Sequence, residues 1–260
     1  MVDNTLVTGN ARDGVAIDAA SGTVINSQIN NNGRMGIGVF TNGSARIGVD
    51  NFSNPGINII STNAWNGIHI VFGSTALIAM NQIIGNGTST DPAAIKNGVN
   101  LASASADFIG GNMISGNTGT GVNLVRSSAI FGDALFGFST VNTVSGNGNS
   151  GIFAFLGSSL TLRDAIISDN TVFGVTLQLN SSAQIVSTTI RNTRATVPGT
   201  GDGVRISQGS SLLSSPPIGS VTGNAGFGLA CNDFESSAVG SLGIGLGNLL
   251  GSVSPLCSGF

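Results

Sequence analysis

Met113 to Leu124 read MISGNTGTGVNL. Gly116, Gly119 and Gly121 crowd together here in the manner of a phosphate-binding loop. A nucleotide loop is needed once, yet the shape recurs as LVTGNARDGVAI from Leu6, TVSGNGNSGIFA from Thr143 and SVTGNAGFGLAC from Ser220. A unit written many times along a chain is architecture.

Nine glycines that precede a β-branched residue or Leu anchor the units: Gly14, Gly36, Gly67, Gly98, Gly121, Gly151, Gly174, Gly203 and Gly228. They lie 22 to 31 residues apart, a loose period of the kind solenoids allow. The first and third residues after each anchor are apolar almost throughout, as in Val15/Ile17, Ile68/Ile70, Val122/Leu124 and Val204/Ile206. Alternation with period two marks a strand with one buried face. Helix is disfavoured, because Gly, Asn, Ser and Thr punctuate every window while Glu, Lys and Gln are scarce.

An Asn recurs ahead of the anchors: Asn10, Asn32, Asn63, Asn86, Asn117, Asn147, Asn170, Asn192 and Asn224. An amide has two donors and an acceptor, so identical Asn residues stacked at strand spacing of about 4.8 Å can bond one another and the turn backbone. A second column follows the anchored strand: Ser44, Ser74, Ser105, Ser128, Ser159, Ser182, Ser211 and Ser237. Each unit therefore reads as strand, polar corner, strand, Asn corner. The expected fold is all-β: a single parallel β-solenoid of about nine coils over residues 1–260, with 229–260 as the C-terminal coil and cap. Pro216 and Pro217 fall near that cap.

The unit [IVL]-[ST]-G-N-x-x-x-G-[VIL], written as VTGNARDGV, ISGNTGTGV, VSGNGNSGI and VTGNAGFGL, resembles the right-handed parallel β-helix repeat proteins of the pectate-lyase-like superfamily. The resemblance covers nearly the whole chain, and the segment GLACNDFESSAVGSL with Cys257 beyond it is similar to the end of exported bacterial members. It implies a fold and leaves the activity open, because this architecture carries enzymes, adhesins and spikes alike.

Composition narrows the partners. Only 8% of the 260 residues are charged, the net charge is -3, and mean hydropathy is +0.33. No basic stripe offers itself to nucleic acid. Membrane insertion is not expected, since no run of about 18 apolar residues escapes a polar or Gly interruption. Met1 leads straight into the repeat with no secretory leader, which reads as a mature or trimmed form. Cys231 and Cys257 are either two buried thiols or a disulfide, and the disulfide is favoured by a composition of exported type, poor in Lys and rich in Asn, Ser, Thr and Gly. A secreted or cell-surface location follows. Sequons begin at Asn42, Asn51, Asn86 and Asn180, as chance produces in so Asn-rich a chain.

The enzymes of the resembled family act on acidic polysaccharides, which implies Ca²⁺ or Arg to neutralise a carboxylate and a base to take a proton. No cofactor is predicted, with Ca²⁺ kept as the alternative. Asp164 and Asp169 lie close to one another in a single coil, a weak Ca²⁺ site by themselves, and one His with two cysteines sets zinc aside. Outward positions of the anchored strand are the second and fourth after Gly. The second aligns His69, Asn100 and Asn123, with Lys96 at the mouth of a loop; His69 and Lys96 are the weak catalytic candidates against the plainer reading of exposed strand residues. At the fourth stand Phe40, Val71, Ala102, Val125 and Phe155, joined by Phe153 from the second. Phe40, Val71, Val125, Phe153, Phe155, Asn100 and Asn123 are thus the candidate binding residues, on an apolar strip augmented by Trp65, Phe131, Phe136 and Phe138. The expected function is an exported scaffold binding a glycan, a protein or a second copy of itself. The rival is a polysaccharide lyase, hydrolase or epimerase. Ice or mineral binding stands third, for want of a repeated Thr pattern.

Overall fold

A computed structural model describes residues 1–51, 54–132, 141–216, 219–240, 242–245 and 247–257. Among the described residues, thirty strands form three sheets of ten. Each sheet takes every third strand in chain order, paired in parallel as in Val99↔Val122 and Ala106↔Ala129. We call the sheets A, B and C in that order. One strand of each makes a rung; rung 5, for example, consists of Ser105–Gly110, Met113–Ser115 and Val122–Val125. This is a right-handed parallel β-helix, with the anchored strands as sheet C.

Two expectations need correction. There are ten rungs, not nine: the tenth strand of sheet C, Gly251–Val253, escapes the anchor pattern because Ser252 stands beside Gly228 where another Gly is expected. A rung also has three strands, not two. The arm after the Ser corner divides where Asn26, Met80, Gly111, Asp164 and Ser187 adopt φ of 51°, 57°, 66°, 49° and 50°. A left-handed residue turns the chain sharply there, and sheet B begins beyond it.

The core fills the interior in columns. Sheet C sends in the first and third residues after each anchor, all buried from Ile37 and Val39 to Leu229 and Cys231. Sheet B contributes one aliphatic per rung, from Ile29 and Ile60 through Ile83 and Ile114 to Val221. In sheet A small and large alternate: Ala106 and Ala129 lie beside Phe108 and Phe131, whose rings stack at 4.2 Å. Phe131 is therefore core, not part of a surface strip, while Phe136 and Phe138 lie outside the described residues.

The anchor glycines are required by contact with the next rung. A Cβ on Gly121 would sit 2.6 Å from the Gly151 carbonyl oxygen and 2.8 Å from Asn147 Nδ2. No side chain fits there.

Asparagines hold the B–C corner. Asn10 Nδ2 donates to Asn32 Oδ1 at 2.8 Å, and Asn32→Asn63, Asn63→Asn86, Asn86→Asn117, Asn117→Asn147 and Asn147→Asn170 continue at 2.9 to 3.0 Å. Rung 8 departs from expectation: Thr193, not Asn192, occupies the buried ladder position and donates its backbone N–H to Asn224 Oδ1. Asn192 instead takes the left-handed turn before it, φ 55°, a conformation Asn tolerates. The ladder ends on Asn248, which accepts from Asn224 at 2.8 Å. A second ladder was not foreseen. Asn58, Asn81, Asn112 and Asn142 stack at the A–B corner with Nδ2 to Oδ1 distances of 2.8 to 3.1 Å.

A disulfide joins Cys231 on sheet C of rung 9 to Cys257, and Leu256 and Cys257 pack against the core at that end.

Candidate functional site

The outer face of sheet C carries the predicted strip in altered form. Val71 is buried, and Phe40, Val125, Phe153 and Phe155 are half-buried, so the strip is not an open apolar surface. Its side chains fold back on the sheet: Phe40 covers the bare backbone of Gly38 and comes within 6.0 Å of the His69 ring, and Phe153 leans on Phe155 at 5.5 Å. Trp65 is capped by the Arg34 guanidinium, 4.9 Å from the ring. Beside the strip, Phe72 is exposed at the corner that follows Val71.

His69 sits in an amide network rather than a catalytic one. Asn66 Nδ2 and Asn100 Nδ2 lie 3.3 and 3.1 Å from its Nδ1. Their orientation follows from their oxygens, since Asn66 Oδ1 accepts the Asn97 N–H and Asn100 Oδ1 accepts from Asn123 and Asn97. Both amides therefore donate, Nδ1 accepts, and the ring proton is on Nε2. Burial, helped by the nearby Arg34 charge and opposed by Asp13, lowers the His69 pKa to about 4. At neutral pH this ring is uncharged, with its basic nitrogen already engaged. No hydrogen bond or ion pair joins Lys96 to His69 among the described residues.

The remaining candidates are scattered. Asp164 and Asp169 both occupy left-handed corners, φ 49° and 58°. No group of three or more metal-binding side chains occurs among the described residues. Of the sequons, Asn86 is buried in the ladder, while Asn42 and Asn180 are exposed at corners. No helix among the described residues is long and apolar enough to cross a membrane.

Sheet A carries the expected Ser column on its outer face. Register places Ser21, Ser44, Thr75, Ser105, Ser128, Ser159, Ser182, Ser211 and Ser237 side by side at the outer start of nine consecutive strands. The Ser column was nearly right, but Thr75 takes the place assigned to Ser74. Ser74 is buried and accepts the Gly43 N–H, one step of a backbone-bonded column that continues with Ser127, Ser158, Ser181 and Ser210. The outer hydroxyl row opens into a groove of about 660 Å³ over rungs 2 to 5, lined by Ser44, Thr75 and Ser105 with Arg46, Leu77 and Asp107 beyond them. Asn51, from the loop between sheets A and B in rung 3, stands at its edge. Arg46 is steadied by its Nε–H bond to the Asp50 carbonyl at 2.9 Å. A shallower groove of about 530 Å³ follows on the same face around Ser159, Ser182 and Ser211.

A family model described as a right handed beta helix region matches residues 137–239. No curated protein matches the chain. Among solved structures, crystal structures of two mutants of the periplasmic alginate epimerase AlgG, one single and one double, are similar at 13% identity, over 94% of this chain and 74% of theirs, with TM-scores of 0.37 and 0.36.

Proposed function

We propose that this protein is an exported, rod-like scaffold whose sheet A face binds a glycan chain lengthwise. The observation that carries the reading is the unbroken hydroxyl row leading into the open groove. Hydroxyls both donate and accept, and rungs about 4.8 Å apart repeat at a length comparable to one residue of an extended sugar chain. Arg46 and Asp107 fix polar ends across the groove, and Leu77 between them offers an apolar patch to a ring face. The disulfide fits a protein working outside the reducing cytosol. Processing of the glycan finds less support, because His69 at neutral pH has its basic nitrogen occupied and lies on another sheet.

A panel of soluble neutral and acidic glycans, titrated calorimetrically, tests the proposal. At least one chain should bind, and Leu77→Trp, which fills the groove, should weaken it about tenfold or more. Phe153→Ser on sheet C should leave that affinity unchanged. Binding lost with Phe153→Ser and kept with Leu77→Trp would move the site to sheet C. New double bonds absorbing near the far ultraviolet on incubation with a uronate polymer would establish a lyase instead. A mass that climbs with concentration in light scattering, with no glycan bound, would favour self-association.

A further inference from the structure

The two grooves on the outer face of sheet A lie in line. The first covers rungs 2 to 5 and the second rungs 7 to 10. One register carries both: the hydroxyl row runs from Ser21 to Ser237 without a slip, and a second outward column runs beside it, two residues further along each strand. A shift of pairing between Ile78 and Ala79 falls beyond both columns. Between the grooves, rung 6 continues the columns with Ser128 and Ile130, both exposed.

The second column is where the grooves differ. Over the first it carries Arg46, Leu77 and Asp107; over the second it carries Thr161, Gln184, Leu213 and Val239, with no charge. Leu213 and Val239 are register partners, 47% and 58% exposed, and Ile130 between the grooves is 37% exposed. Aliphatic side chains left in water along an unbroken hydroxyl row make a track with one hydrogen-bonding edge and one apolar edge. A sugar ring presents the same two edges, hydroxyls around its rim and C–H groups on its faces. At about 4.8 Å per rung, one groove is about four sugar residues long, and rungs 2 to 10 together span about 38 Å, or about eight to nine residues. A chain seated in one groove and continuing along the row enters the other, so its second contact is intramolecular.

We propose that a single glycan chain occupies both grooves at once, so that sheet A selects chains long enough to bridge them. This rests on the glycan reading above and adds a length requirement to it. Calorimetry of the full chain with 1,4-linked xylose, mannose and galacturonate oligomers, each of about four and about nine residues, tests it. In at least one series the longer oligomer should bind more than about tenfold, and up to about a hundredfold, tighter than the shorter. Leu213→Glu combined with Val239→Ser removes the apolar edge of the second groove at exposed positions, with the fold checked by circular dichroism. In that variant the advantage should shrink to less than about tenfold, the gain left to a long chain that slides among registers on the first groove. A wild-type advantage below about tenfold overturns the bridge and leaves the groove reading standing. An advantage that survives intact in the folded variant overturns it too, because the second groove then contributes nothing. Silence from every oligomer at both lengths overturns the glycan reading and the bridge with it.

Discussion

Thr193 is the residue at which the main ladder loses its amide. In other rungs one Asn Oδ1 accepts both the backbone N–H and the Nδ2 of the Asn before it, as Asn147 does for Asn117. Thr193 offers neither, and its own Oγ1 is buried without a partner. Thr193→Asn should restore both bonds, raising stability by about 1 to 2 kcal/mol in urea denaturation. His69 sets a different test. Its pKa is about 4 in the folded protein and 6.5 ordinarily, so as pH falls the unfolded chain takes up this proton first. Stability is then lost between about pH 6.5 and 4, approaching roughly 3 kcal/mol, and the loss is complete below the folded value. Asp202, whose pKa burial raises, acts oppositely, because there the folded state holds its proton more readily as acid is added. Comparing wild type with His69→Gln at pH 7 and 4.5 isolates the histidine: the variant should lose markedly less stability than the wild type.

Two glycines in one element separate two reasons for the same residue. Gly116 turns into sheet C at φ +62° with open space where a Cβ would be, whereas Gly121 has no room for one. Gly116→Ala should cost about 1 kcal/mol, the ordinary penalty for a left-handed Ala. Gly121→Ala should cost more than about 3 kcal/mol, because next-rung backbone must move. Equal costs in parallel denaturation curves would remove the close-approach account. Elements were legible in the sequence to the degree that they repeat a residue type with one physical duty. The anchored strands, with Gly for contact and alternating aliphatics for the core, were read residue by residue. The A–B corner was missed because its left-handed position is filled by Asn, Met, Gly, Asp or Ser, five residues with no common signature. The Asn58 ladder did leave a trace: each member stands five residues before a member of the main ladder, as Asn58 does before Asn63 and Asn112 before Asn117. At the candidate site, side-chain alternation placed His69, Asn100 and Asn123 on one face, but not the folding of Phe40 over Gly38 or the groove on sheet A. Those depend on packing between rungs and on loop placement, which a one-dimensional repeat does not encode.

Across the whole molecule, contacts run almost entirely between successive rungs, so stability should be local and roughly a sum of rung and interface terms. Interior rungs are covered on both sides. Rung 10 has one neighbouring rung, and its end is held by the Cys231–Cys257 bond with Leu256 packed beneath. Removing that bond should therefore loosen rungs 9 and 10 without being felt in rungs 4 to 7. In native-state hydrogen exchange of a Cys231→Ser, Cys257→Ser variant, amides of Gly251–Val253 and Phe227–Cys231 should lose about tenfold or more in protection, while those of Val99–Ala102 and Val122–Val125 stay unchanged. A uniform loss along all ten rungs would mean that the rod unfolds as one cooperative unit, and rung-by-rung additivity would be wrong.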